Sequence, residues 1–339
     1  MTKEARIKKQ ELRIRESKNQ TKTLTSMLQR LNITSFEFIS QQYDHIVQGN
    51  AVLGPLQGRG RVNADTSVFR PILSSQKGVV MSQSLYPTYT EINPYNMTAS
   101  CIDTAIRNLI ASGANPDAVA LLDNYCWCSS NDPERLGQLK ASAQAVYDYA
   151  VAYGTPYISG KDSMFNDFKG FDEKGKPITI SILPTLLISS VGVIDDITKV
   201  VSLYAKIPGD LVYILGETQD ELAGSEYFKA IHAEGTSVPS VNAQKNQKLY
   251  QAVYKAIQNN LLASSISITR GGLGIGLAKK AIGGQLGLAV SLQKLPGDVS
   301  RDDFALYSES QGRILVTVAK ENKTAFEKML QGNSFALIG

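Results

Sequence analysis

The chain is 339 residues long, 43% hydrophobic and 19% charged, with 27 Gly and 12 Pro, an ordinary composition that excludes a disordered or fibrous chain and suggests two domains. Its net charge is +4, but residues 1–22 hold eight Lys and Arg against three Glu, which leaves the remaining body at −1. A short basic tail therefore carries the excess, and neither a basic face nor a nucleic-acid partner is expected.

Cys101, Cys126 and Cys128 are too few for a disulfide framework in a chain this long and fit a reducing cytoplasm. The N-terminus is charged and lacks an apolar leader segment. The most apolar stretch, residues 182–194, is broken by Pro184 and Gly192 and is shorter than the roughly 20 residues of a spanning helix. No membrane partner is expected.

Past the tail, apolar residues recur at helical spacing from Leu24 to Tyr43, and Gly49, Gly54, Gly58 and Gly60 then open a loop-rich stretch. Strand-like segments follow at residues 67–73 and 78–85. Asn93-Pro94 starts a helix with Ile102, Ala105, Ile106, Leu109 and Ile110 on one face and Gly113 beyond its end. A strand at 118–122, a helix at 133–153 stopping at Gly154, and a strand at 156–159 come next. These strands finish in polar residues, Asp123-Asn124 and Gly160-Lys161-Asp162-Ser163. A right-handed crossover would bring both ends to one edge of the sheet, where ligands bind.

Residues 178–194 suit one or two buried strands. After a seam near residue 200 a second alternation begins: strand 210–215, helix 243–262, strand 265–269, a Gly-rich helix start at Gly271, strands 286–291 and 313–318, helix 321–330 and strand 335–338. The pattern predicts an α/β fold with domains at 23–200 and 201–339 behind the 1–22 tail.

Gly160 permits close backbone approach, Lys161 can neutralise a phosphate, and Asp162 can hold Mg²⁺ through oxygen. Asp123 and Asp162 at one sheet edge would repel unless a cation or proton intervened; as helix or loop caps they would need neither. The run Gly271-Gly272-Leu273-Gly274-Ile275-Gly276 lacks the dinucleotide spacing and its downstream acid, so close helix–strand packing is its expected role. Cys126-Trp127-Cys128 has no second cysteine pair for zinc, and inert buried thiols beside a core Trp are expected. His45 and His232 receive no catalytic role.

Taken together, these segments resemble the C-terminal half of the phosphoribosylformylglycinamidine synthase family, in the aminoimidazole ribonucleotide synthetase-like superfamily. The carrying residues are Gln42 to Gly49, Asn63 to Val68, Asn93-Pro94-Tyr95 into Ile106-Arg107-Asn108-Leu109, Ala120 to Trp127, Ser159 to Met164, Pro208 to Gly216, Gly224 to Tyr227 and Ser308-Glu309-Ser310-Gln311. The resemblance covers residues 24–339. It implies two α/β domains, with the sheet of the first pairing with a pseudo-symmetric counterpart, and a C-terminal domain that stops short. It also implies an ATP-dependent conversion of formylglycinamide ribonucleotide and glutamine-derived ammonia to the amidine. By resemblance Asp123, Gly160, Lys161, Ser163 and Asp65 bind nucleotide or substrate, and Asp162 and Asn108 hold Mg²⁺ beside ATP or ADP.

Two departures bear on this. Thr104 stands where the family has an acid, and Ser265 to Leu273 lacks the family's His and both acids, with Arg270 among its residues. The half carrying the family's catalytic His is not within the sequence. The chain is therefore expected to complete a site with an N-terminal half and a glutaminase, to be inactive alone, and to form a homodimer in isolation. The rival expectations are a scaffold half that binds no nucleotide, and a homodimeric kinase or ligase of the same superfamily.

Overall fold

A computed structural model describes residues 19–42, 46 and 48–339. Most of the basic tail, together with Tyr43, Asp44, His45 and Val47 of the first quoted motif, lies outside the described residues. Helix α1 (Gln20–Leu28) starts inside the span read as tail, capped by the Asn19 side chain, which accepts from the Lys22 N–H at 2.9 Å.

The N-terminal domain is built on β1 (Ala51–Leu53), β2 (Thr66–Phe69), β3 (Gly78–Ser84), helix α2 (Pro94–Ala111), β4 (Val119–Cys126), helix α3 (Pro133–Tyr153), β5 (Tyr157–Ser163) and β6 (Thr185–Ile194). The strands form one six-stranded sheet in the order β1-β2-β3-β6-β4-β5. β6 runs antiparallel to β3 and β4, while β4 and β5 are parallel and joined through α3. The two polar strand ends thus share one edge, as the crossover argument required. The segment 178–194 is not buried throughout: its first residues join an outlying hairpin, Phe168–Phe171 with Pro177–Ile180, where Ile180 is exposed.

The second domain follows with β7 (Leu211–Leu215), α4 (Ala243–Gln258), β8 (Ser264–Ser267), α5 (Gly272–Gly284), β9 (Ile314–Val318), α6 (Lys323–Met329) and β10 (Phe335–Leu337). Its antiparallel sheet has the order β8-β9-β7-β10. Residues 286–291, read as a strand, run as irregular chain; Ser291 N–H still donates to Ile338 O at 2.7 Å.

Helix α2 explains how the domains meet. Asn93 accepts from Asn96 N–H at 2.9 Å and Pro94 occupies the first turn, the capping chemistry read from sequence. The apolar positions were expected to bury one face, yet every residue from Met97 to Ala111 is buried. Ile102, Ile106 and Leu109 join the first core, while the polar residues Asp103, Thr104 and Arg107 meet bonding groups of the second domain and Asn108 is held by Ser82 of the first. One apolar cluster accordingly runs from Leu109 and Tyr125 to Tyr213, Tyr250 and Ile314.

Alternation along the first sheet buries Val68, Val80, Leu121 and Ile188 toward the helices. The opposite face carries exposed Ser67, Met81, Gln83, Cys126 and Val193. Among the described residues, no helix is long and apolar enough to cross a membrane.

Candidate functional site

The sheet edge holds the first group of expected residues. Asp123 pairs with Gly160, Asn124 with Lys161, Tyr125 with Asp162 and Cys126 with Ser163, so the polar run read as lying beyond the strand is part of β5. This matters because strand residues alternate between faces. Asp123, Gly160 and Asp162 share the face that carries Leu121 and Tyr125; Lys161 and Ser163 share the open face with Asn124 and Cys126. The expected cluster is thus divided. A Cβ at position 160 would lie 2.2 Å from Asp123 Oδ1, so glycine makes room for that carboxylate. Burial, and secondarily the charge of Asp162, raises the Asp123 pKa, against a backbone hydrogen bond that lowers it. The acidic pair is therefore brought together.

Asp65 and Asn108 come together elsewhere, in a cleft of about 200 Å³ where Asp65, Tyr86, Thr104 and Asn108 of the first domain face Arg270 and Lys279 of the second. Lys279 Nζ stands 3.8 Å from Asp65. Arg270 donates to Leu85 O and lies 5.6 Å from the Tyr86 ring centroid, within reach of a cation–π contact. Asn108 donates to Ser82 Oγ at 3.0 Å, and its Oδ1 is buried without a hydrogen-bond partner. Thr104 donates to Gln311 Oε1 at 2.7 Å and is 3.1 Å from the Tyr86 hydroxyl.

Beneath the cleft lies a buried network that the sequence reading missed. Arg107 is ion-paired with Asp103 and donates to Ser267 Oγ (2.8 Å), Ile268 O (3.0 Å) and Gln311 Oε1 (3.0 Å). Burial alone would lower the Arg107 pKa, but the Asp103 carboxylate more than offsets it, and the net direction is up. The sequence signal was an opposite-charge i,i+4 pair within an apolar helix. Glu309 was also missed as a structural acid. It accepts from Gly271 N–H (2.9 Å), Glu226 N–H (3.0 Å) and the Tyr89 hydroxyl; burial nonetheless raises its pKa.

Glu309 occupies the approach to the glycine-rich start of α5. A Cβ at Gly272 would meet Ser308 O at 2.5 Å and one at Gly276 would meet Ile268 Cδ1 at 2.5 Å, so these glycines serve close packing, as expected. Trp127 and Cys128 are buried and burial pushes Cys101 up to about 12, but Cys126 is exposed, contrary to the expectation that both thiols beside Trp127 are buried.

The residues assigned to Mg²⁺ do not converge. Asn108 is held by Ser82 on β3, and Asp162 sits on β5, three strand positions away, which is about 14 Å at the usual strand spacing. Among the described residues no group of three or more His, Cys, Asp or Glu could hold a metal ion. Asp65 faces Lys279, and Thr104 replaces the expected acid. In the cleft between the domains the donor set does not fit Mg²⁺: Asp65 is the one carboxylate among its lining residues and it faces Lys279, which leaves too few oxygens for an octahedral shell.

A mixed six-stranded sheet, a second antiparallel sheet and a polar cleft between them define a two-domain synthetase-like protein. The chain belongs to the AIR synthase related proteins: the family's N-terminal domain matches residues 63–184 and its C-terminal domain residues 208–339. It is similar to phosphoribosylformylglycinamidine synthase subunit PurL of Methanocaldococcus jannaschii, 35% identical over 318 residues, covering 93% of this chain and 41% of that protein. The chain therefore spans less than half the length of that relative. Thermotoga maritima PurL complexed with FGAR has the same fold, with a TM-score of 0.70 at 18% identity over 99% of this chain and 51% of that one. T. maritima PurL complexed with ADP gives a TM-score of 0.65 at 18% identity, over 98% and 49%.

Proposed function

We propose that the chain is the C-terminal half of a synthase that converts formylglycinamide ribonucleotide, ATP and ammonia to formylglycinamidine ribonucleotide, ADP and phosphate, and that it completes its site with an N-terminal half fed by a glutaminase. The supporting observation is the interdomain cleft, which Arg270, Lys279 and Asn108 line together within a chain that matches both family domains. PurL structures that hold ADP or ATP support nucleotide as a ligand of the whole enzyme. Transfer of phosphate to the amide oxygen makes that oxygen a good leaving group, which ammonia then displaces. The contribution of this chain is positioning and charge neutralisation. Lys161 and Ser163 project on the open sheet face, toward a pairing half, and Asp123 and Asp162 flank the same edge.

A second reading, a scaffold half that binds no nucleotide, is favoured by Thr104 and by Glu309 filling the approach to α5. Reconstitution with an N-terminal half and a glutaminase, following ADP release, separates the two. Asp162→Ala is expected to lower the rate about tenfold, or 1.4 kcal/mol in barrier, with the assembled mass unchanged. An unaltered rate in an intact complex leaves the scaffold reading.

A further inference from the structure

The cleft between the domains carries positive charge on side chains and lacks a donor set for a metal. We infer that it holds the phosphate of a phosphorylated, sugar-sized ligand directly on Arg270 and Lys279, without a divalent cation, and that Asn108 accepts a hydrogen bond from a donor on the same ligand. This rests on reading the chain as a synthase half and specifies how its own cleft takes an anion.

The guanidinium of Arg270 is fixed by one Nη2–H to Leu85 O and by the Tyr86 ring. Its Nε and Nη1 groups make no hydrogen bond to the described residues, and such a planar fork suits two phosphate oxygens. Lys279, 20% exposed, touches Asp65 at 3.8 Å, too far for a hydrogen bond, so its ammonium donors can turn to a ligand. Asn108, 3% exposed, has a fixed orientation. Ser82 Oγ gives its proton to Asp65 O at 2.8 Å and so can only accept from Asn108 Nδ2. Oδ1 is left buried without a hydrogen-bond partner on a residue that lines the cleft, a costly state for an acceptor unless a ligand or water supplies a donor.

Thr104 cannot replace the missing acid as a metal ligand. Its proton goes to Gln311, and its oxygen accepts from Arg107 Nη2 at 3.1 Å and faces the Tyr86 hydroxyl at 3.1 Å. The cleft, at about 200 Å³, is below the roughly 300–1,000 Å³ of drug-sized sites. That size suits a phosphorylated pentose better than a whole nucleoside triphosphate.

The test is calorimetric titration of the full chain with ribose 5-phosphate, once with excess EDTA and once with excess Mg²⁺, with inorganic phosphate as a second titrant. Saturable binding is expected in EDTA, with an affinity changed less than about twofold by Mg²⁺ and weakened by salt. Inorganic phosphate is expected to bind more weakly, because it lacks the sugar and fills only the Arg270 and Lys279 end of the cleft. Arg270→Ala should cost about tenfold or more in affinity, and Arg270→Lys should restore part of it. A thermal melt of each variant confirms folding. Binding that requires Mg²⁺, or that is indifferent to Arg270→Ala in a folded chain, overturns the inference while leaving the synthase-half reading in place. A folded chain that binds in neither buffer also overturns the inference, while the synthase-half reading is decided separately by the rate of the reconstituted complex.

Discussion

Lys280, on α5, is fully buried and donates to Leu203 O at 3.0 Å and Ser264 Oγ at 2.5 Å. Burial, reinforced by the charge of Lys206, lowers its pKa well below the ordinary lysine value. Burial likewise brings Lys206 down to about 8. In the window between these depressed values and about 10.4, the unfolded chain binds protons that the native chain does not, so stability rises with pH. Denaturant titrations from about pH 7 to 10 should show this rise, and Lys280→Met should flatten part of it. Glycines give a second contrast at this scale. Gly272→Ala would drive a Cβ to 2.5 Å from Ser308 O and 2.8 Å from Leu306 O at φ +69°. Backbone atoms cannot swing aside, so a loss of about 2–4 kcal/mol is expected from overpacking and the left-handed conformation together. Gly160→Ala meets only the end of the Asp123 side chain, which can rotate; urea unfolding should show a loss below about 1 kcal/mol.

At the scale of elements, α2 ties the domains together through Asp103. Besides Arg107, this carboxylate accepts from Tyr153 (2.6 Å) on α3, Tyr250 (2.6 Å) and Asn246 (2.8 Å) on α4, and Gly312 N–H (3.1 Å). Asp103→Leu would strand a buried guanidinium and remove the shared acceptor, so a loss of about 3–5 kcal/mol is expected in urea unfolding. The ends of α2 and α3 were legible because Asn93, Pro94, Asp132 and Gly154 do local capping chemistry. The burial of Asp103 and Arg107 was not, since a polar stripe on an amphipathic helix has the same pattern whether water or another domain covers it. The run Gly160 to Ser163 was read as lying beyond the strand for a related reason. β5 is an edge strand exposed along most of its length, and without buried positions a polar strand shows no alternation. Its face assignment, which separates Asp162 from Lys161, came from the register with β4.

At the scale of the whole molecule, the open face of the first sheet is where self-association of an isolated chain is expected. Met81 and Val193 are 47% and 39% exposed on that face, and β5 leaves one edge unpaired among the described strands. Exposed apolar sheet surface with a free edge favours association. A two-fold pairing of this face would place each residue near its own copy or a neighbour's, since such an interface is self-complementary. Light scattering on the isolated chain should therefore give twice the chain mass at micromolar concentration. The paired substitution Met81→Lys and Val193→Lys would set like charges against each other across the two-fold axis and should yield a folded monomer, with unchanged helix content by circular dichroism. If the same face receives the N-terminal half, adding that half should convert homodimer to heterodimer, and the lysine variant should fail to form either. A wild-type chain that stays monomeric, or a lysine variant that still dimerises, would place the contact on another surface.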